Sequence, residues 1–171
     1  MKSNKIDFVS FYKVLWICKL EIKDSSYSKE YRDVVFYLFF LRLASYVCDK
    51  HRSELVELFG EDSDDVDNRL MYSVREIIYI KNTSHWEHIM KNIDEENLCE
   101  IVDNALQEIG SDNRNLAITT SENTFIQFVG KEETIRKIIC EIDGFNEIES
   151  VNKNNLFMVL RIIQRVCQHM F

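Results

Sequence analysis

Two short groups of polar residues have the types and spacing that metal binding or catalysis requires. "HWEH" places His85 and His88 one helical turn apart with Glu87 between them, and such a pair can bind a metal ion. No third ligand is indicated, and surface histidines near a helix start give the same pattern. Cys48 and His51 share a helical face, which suits a thiolate–imidazole pair. A partly buried thiol beside a helix-surface histidine is the simpler interpretation, so we predict no catalytic residue and no metal ligand.

The cysteines and tryptophans are expected to be structural. The five cysteines are far apart and include no CxxC pair, so we predict reduced thiols that pack as small hydrophobic side chains, without a disulfide or a zinc site. Trp16 and Trp86 could stack on a nucleic-acid base. Large aromatic side chains with apolar neighbours are more often core anchors, and we predict that both are buried.

Composition excludes several classes of function. The net charge is 21 − 29 = −8, so we expect no surface that neutralises many DNA phosphates without a local basic patch or a basic partner. The four glycines are separated from one another, and proline is absent. A loop that cradles a phosphate or a dinucleotide needs clustered glycines, so no such loop is present.

The element that must organise these residues is one very apolar segment. Residues 34–47 open with eight apolar residues in a row and are interrupted by Arg42 and Ser45. A membrane-spanning helix needs about 20 residues, and an arginine near its middle would cost on the order of 2.5–3.5 kcal/mol. We therefore predict a buried central helix over residues 29–59 that ends at Gly60 in a left-handed conformation.

The remaining apolar patterns are also helical. Phe8, Tyr12 and Leu15 are spaced to line the buried face of the first helix, and Ser84 with Glu87 forms the pattern of a capping box. The predicted fold is all-α, a single-core bundle of about six or seven helices around the long buried helix, with residues 1–171 as one domain. The other predicted helices cover residues 6–20, 84–90, 95–109 (capped by Asp94 and stopped by Gly110), 131–142 and 155–169.

The first of two sequence blocks carries a family resemblance. Leu15-Trp16 is followed, after a polar turn, by "EYRDVVFYLFFLRLAS". This order resembles the opening of the methylation (M) subunits of type I restriction-modification systems, whose N-terminal helical domain has an LW helix, a polar turn, E-Y-K-x-V-V and then L-x-F-L-[KR]-x-x-S. The matching residues are Leu15, Trp16, Glu30, Tyr31, Arg32, Val34, Val35, Phe39, Leu41, Arg42 and Ser45.

The second block is "HWEHIMKNIDEENLCEIVDNALQEI" at residues 85–109. It resembles the second signature of that domain, a tryptophan followed by an N-[IL] pair and a [DN]-x-A-[LM]-x-x-I run. The chain departs from the family at Ile22-Lys23-Asp24, where L-R-G is frequent, and at Ile80-Lys81, where V-P is frequent. Both departures lie at element ends, so they affect local backbone shape more than the assignment. The matching residues are Trp86, Asn97, Leu98, Ile101, Asp103, Ala105, Leu106 and Ile109.

The resemblance implies a role in DNA modification without catalysis. Complete subunits of this family are DNA adenine-N6 methyltransferases that bind S-adenosylmethionine at a glycine-rich turn and receive a flipped adenine at an [ND]-P-P-[FY] motif. This chain has no proline and no G-x-G, so we expect neither a catalytic domain nor a cofactor site, whether the chain is part of a longer subunit or the product of a short gene. The implied partners are the specificity and restriction subunits, with DNA contacted only in the assembled complex. A cytoplasmic location without membrane contact is expected.

Four cations are candidate contacts with a partner or with DNA. Arg42 lies among apolar residues of the predicted buried helix, so it must pair with a core-edge carboxylate or point into an interface. Lys153, Arg161 and Arg165 belong to the last 21 residues, which carry no acid and a local charge of +3. They either face DNA or complement the acidic segment 141–149, and the second interpretation is the simpler one.

The leading hypothesis is therefore a non-catalytic N-terminal domain that helps a type I methyltransferase assemble and close around DNA. The alternative is a free-standing helical interaction or regulatory module that binds a partner helix. An enzyme that uses Cys48 or the "HWEH" turn is a third hypothesis.

Overall fold

Seven α-helices form the fold in the part of the chain that the structure describes. The computed structural model describes residues 8–22, 28–114 and 123–171, and these ranges contain no β-strand. The predicted all-α bundle around one core is confirmed. The helices are α1 (Phe8–Glu21), α2 (Ser28–Phe59), α3 (Arg69–Ser73), α4 (Trp86–Lys91), α5 (Leu98–Asp112), α6 (Glu132–Asp143) and α7 (Leu156–Met170).

Helix α2 is the central element. Four consecutive side chains, residues 38–41, are all buried, and a helix is covered on every side only when neighbouring elements surround it. Helices α6 and α7 pack along α2, and α4 packs against it further on. Among the described helices, none combines the length and the apolar character that crossing a membrane requires. The very apolar segment is therefore the centre of the helical core.

Helix α2 ends where the sequence indicated. Gly60 has φ +88°, and its N–H donates to the carbonyl of Val56 at 2.9 Å, which is the left-handed helix end that glycine favours. The acidic loop that follows is fixed to the core by Tyr72, whose hydroxyl donates to the carbonyl of Val66 at 2.8 Å. Most of the charges in this loop face solvent.

The buried face of α1 differs from the prediction. Phe11, Leu15 and Cys18 are buried, whereas Tyr12 is 52% exposed. Phe11 contacts the ring of Phe145 with 4.3 Å between centroids, so aromatic packing turns this side of the helix inward. The residues at 11, 15, 18 and 22 have the i, i+4, i+7, i+11 spacing that a buried stripe needs. These residues, and not the predicted stripe, face the core.

The second half of the chain follows the predicted order, with corrections at helix ends. Helix α5 begins at Leu98 after Asn97, so the predicted cap at Asp94 is wrong, and it continues through Gly110 to Asp112 instead of stopping at the glycine. Helix α4 starts at Trp86, and its cap is His85, whose Nδ1 accepts from the N–H of Glu87 at 3.2 Å. The predicted capping box is therefore wrong, because the Ser84 hydroxyl donates instead to the carboxylate of Glu108 on α5.

Candidate partner and nucleic-acid interface

The two sequence blocks meet at Trp86. Its backbone N–H donates to the hydroxyl of Ser45 at 3.0 Å, and its indole Nε1–H donates to Asp143 Oδ1 at 2.8 Å. Ser45 belongs to α2, Trp86 to α4 and Asp143 to α6, so one tryptophan joins three helices. Trp86 is 2% exposed, which confirms the prediction that it is a core residue.

Arg42 lies one turn before Ser45 and contacts the same group. Its Nε is 3.5 Å from Asp143 Oδ1, and its guanidinium carbon is 5.8 Å from the centroid of the Trp86 ring. The contact with Asp143 is an ion pair without hydrogen-bond geometry, so the buried Nε has no hydrogen-bond acceptor. Arg42 thus has the core-edge carboxylate that one interpretation required, and it also has a favourable position over an aromatic face.

Asp103, from the second block, fixes a loop to the core. This carboxylate is 4% exposed and accepts from the backbone N–H groups of Phe125 and Ile126 at 2.8–3.0 Å. Burial raises the pKa of Asp103 above its ordinary value, and the backbone N–H groups of Phe125, Ile126 and Thr124 limit that rise. The arrangement places Phe125 and Phe128 in the core, so the role of Asp103 is structural.

Most family-signature residues are buried, and among the large apolar ones Trp16 is the exposed residue. The prediction that Trp16 is a core residue is wrong, because its side chain is 56% exposed. Leu15, its neighbour in the LW pair, is 1% exposed. Adjacent residues on a helix point about 100° apart, and α1 is covered on one side only, so Trp16 faces solvent when Leu15 faces the core.

The side chains of the "HWEH" turn cap and pack a helix, and they do not form a metal-binding group. His85 Nδ1 accepts the capping hydrogen bond, which leaves Nε2 to carry the proton, and Nε2 lies 2.9 Å from Asp49 Oδ1. That contact is close but lacks hydrogen-bond alignment, so Nε2 counts as unsatisfied. His88 contacts Asn92 one turn further along the chain. Within the described ranges, no group of three or more His, Cys, Asp or Glu side chains could hold a metal ion.

Cys48 and His51 lack the features of a nucleophile and its base. Burial raises the pKa of Cys48 to about 12, so its thiol is protonated at neutral pH. His51 is 1% exposed, which corrects the prediction of a helix-surface histidine. Its ring nitrogens face the carboxylate of Glu54 and the carbonyl of Met71, each at 3.2 Å, so neither nitrogen is directed at the thiol.

The outer face of α7 is basic and polar. Arg161 and Arg165 are exposed, one helical turn apart, and Gln164 and Gln168 are exposed on the same face. Lys153 is exposed just before the helix. Within the described part of the chain, these three cations form no ion pair with the acids of residues 141–149 or with any other acid. We refer to Arg161, Gln164, Arg165 and Gln168 as the α7 face.

The protein is therefore a helical domain in which residues of the two sequence blocks join the helices to one another. Its accessible polar groups lie on the outer surface. Residues 13–162 match the family model described as the HsdM N-terminal domain, so the chain belongs to this family. The family is the non-catalytic N-terminal part of the methylation subunit of type I restriction-modification systems. Searches of curated proteins and of solved structures gave no match.

Only some residues of this site could be recognised from the sequence. Arg42, Ser45, Trp86 and Asp103 all stand in the family blocks, but their roles as helix-joining groups became visible only in the structure. Asp143, which completes the Arg42–Trp86 contact, was missed. The only sequence signal for it is a carboxylate at the end of the amphipathic pattern of α6.

Proposed function

We propose that this domain helps a type I modification enzyme to assemble and to close around DNA, and that the α7 face contributes the DNA contact. The observation that carries the proposal is the pair Arg161 and Arg165, which are exposed and form no ion pair with any residue that the structure describes, in a chain of net charge −8. A cation that is not neutralised by its own protein remains available for a phosphate. Arginine and glutamine are also frequent donors to base edges and to phosphates in DNA complexes.

The remaining parts of the proposal concern the assembled enzyme. We infer that the specificity and restriction subunits are the partners, that methyl transfer and S-adenosylmethionine binding belong to other parts of the complete subunit, and that residues 1–171 act as one domain. The Arg42–Trp86–Asp143 contacts support this view, since they use two signature residues, Arg42 and Trp86, to hold helices in place.

The first test compares two double variants that remove the same charge. Arg161→Ala with Arg165→Ala removes two exposed cations from the α7 face. Lys91→Ala with Lys137→Ala removes two cations that are ion-paired with Glu87 and Glu21 elsewhere on the surface. Binding of the full chain to a labelled DNA duplex is measured by fluorescence anisotropy at low ionic strength and then with increasing salt.

We expect weak, salt-dependent binding by the unchanged chain, because long-range attraction persists at low salt. The α7 double variant should lose most of this binding, and its slope of log K against log salt should fall by about 2. The control pair should retain both. Equal losses in the two double variants, or no binding of the unchanged chain at low salt, would contradict the DNA contact.

A free-standing interaction module is the second candidate function. The exposed Trp16 favours it, since a large aromatic side chain in the open is typical of a protein-binding surface. The two candidates differ in the gene: a reading frame that continues past Phe171 into G-x-G and N-P-P-[FY] motifs supports the domain of a methyltransferase, and a stop codon there supports the separate module.

A further inference from the structure

Helix α1 carries an exposed stripe on the side opposite its buried face. Val9, Lys13, Trp16 and Leu20 follow the i, i+4, i+7, i+11 spacing of a helix that packs against another helix. The exposed fractions are 60% for Val9, 56% for Trp16 and 48% for Leu20, and Lys13 lies between Val9 and Trp16 with no ion pair in the described residues. The α1 ridge comprises Val9, Lys13, Trp16 and Leu20, flanked by Tyr12 and Ile17.

We propose that the α1 ridge pairs with the same ridge of a second copy of this chain, with the two helices antiparallel about a two-fold axis between residues 14 and 15. In that register, each of the four central residues faces the position whose number completes a sum of 29. Val9 then faces Leu20 of the second copy, while the two Tyr12 side chains flank one side of the contact and the two Ile17 side chains flank the other. The proposal gives the assembly role proposed above a specific surface, and it does not depend on the α7 face.

Charge complementarity selects this occupant and this direction. The ridge contains one charged side chain, Lys13, and in the antiparallel register it faces Trp16 of the second copy. An ammonium group over an indole ring is a favourable contact, so the ridge supplies the partner for its own cation. A parallel register would instead place Lys13 opposite Lys13, which is repulsive. Both ends of the ridge are apolar, so the contact needs no charged group from a different protein.

Area and net charge set the expected strength. The ridge exposes roughly 500 Å² of side-chain surface per copy, against the ~800 Å² per partner of a standard stable interface. Each copy also carries a net charge of −8, so the copies repel at long range. The isolated chain should therefore dimerise transiently, and dimerisation should strengthen with salt because salt screens the repulsion.

Disulfide trapping tests the register directly. Val9→Cys and Leu20→Cys are made separately with Cys140→Ser, which removes the exposed native cysteine. In the proposed register positions 9 and 20 of opposite copies are adjacent. Two residues at position 9 would be separated by 11 residues, or about 16 Å, beyond the ~7 Å that a disulfide can bridge.

When the two variants are mixed under mild oxidation, the 9–20 disulfide should form in a clearly higher yield than random pairing of the two cysteines would give. Met158→Cys, on an exposed site of α7, is the control and should give no such excess with Val9→Cys. A majority of 9–9 and 20–20 disulfides would overturn the antiparallel register. Equal yields in the control would show random collision and would overturn the interface.

Sedimentation of the unchanged chain provides an independent measurement. The average mass should rise from micromolar to sub-millimolar concentration, more so at high salt, and Trp16→Glu should abolish the rise. Trp16 is the exposed one of two tryptophans, so its emission should shift to shorter wavelength over the same range. A chain that stays monomeric throughout would overturn the second copy as occupant and leave the ridge to a different partner. Neither result changes the outcome of the DNA test.

Discussion

At the scale of single residues, polar side chains inside the bundle bind backbone groups that the helices leave without partners. The amide of Asn113 accepts from the N–H of Tyr79 and donates to its carbonyl, both at 2.8 Å. Asp103 accepts from backbone N–H groups of the loop that follows α5. A buried backbone donor without a partner costs about 1–3 kcal/mol, so these side chains decide whether extended segments can pack against helices.

Asp103 leads to a prediction on stability and its pH dependence. Asp103→Asn presents an NH₂ group to the same backbone donors, so we expect it to lower the free energy of unfolding by about 1–3 kcal/mol at neutral pH. Burial raises the pKa of Asp103 in the folded state. The contribution of such a group to stability is fully present below the ordinary carboxyl pKa and declines as pH rises through the folded pKa.

The stability difference between the unchanged chain and Asp103→Asn should therefore narrow from acidic to neutral pH, as measured by urea denaturation. Glu100→Gln removes an exposed carboxylate from the same helix and should leave the difference from the unchanged chain small at every pH. A difference that widens with pH would mean that the backbone donors, and not burial, dominate the ionisation of Asp103.

At the scale of elements, helix ends depend on residues that can leave the helical conformation. Gly60 does so with φ +88°, while Gly144, at the end of α6, has φ −68°. Gly110 lies within α5 and does not end it, so the residue type alone did not decide where that helix stops. Packing of α5 against its neighbours carries the helix one further half-turn, to Asp112.

The two glycines at helix ends make a matched pair of substitutions. Gly60→Ala should lower the free energy of unfolding by about 1–2 kcal/mol, because alanine is strained in the left-handed region. Gly144→Ala should have an effect below about 0.5 kcal/mol, since a Cβ there would lie 3.6 Å from its nearest neighbours. Thermal or urea unfolding measures both. Equal costs for the two variants would show that backbone conformation is not the cause.

At the scale of the whole molecule, the single core determines which thiols can react. All five cysteines lie in the described residues, and four of them are buried while Cys140 is exposed. Burial raises the pKa of Cys18, Cys48 and Cys167 to about 12 and that of Cys99 to about 11. These four thiols are protonated at pH 8 and shielded from reagents.

An aromatic disulfide reagent should therefore modify one thiol quickly in the native chain and five in denaturant. Cys140→Ser should remove the fast reaction and leave the slow ones unchanged. Rapid modification of a second thiol in the native state would mean that part of the bundle opens readily, and the variant that loses this second reaction would identify the helix involved.

The helical content, the buried central helix and the lack of a nucleotide-type loop could be read from the sequence, because composition and local periodicity contain them. The family could be read from two sequence blocks that resemble its signatures. The tertiary structure decided which side of α1 faces inward, because residues 11, 15, 18 and 22 and residues 9, 13, 16 and 20 have the same helical spacing. It also decided that Arg42, Trp86 and Asp143 meet. Contacts between residues so far apart in the chain depend on how whole helices pack, and no local pattern encodes that geometry.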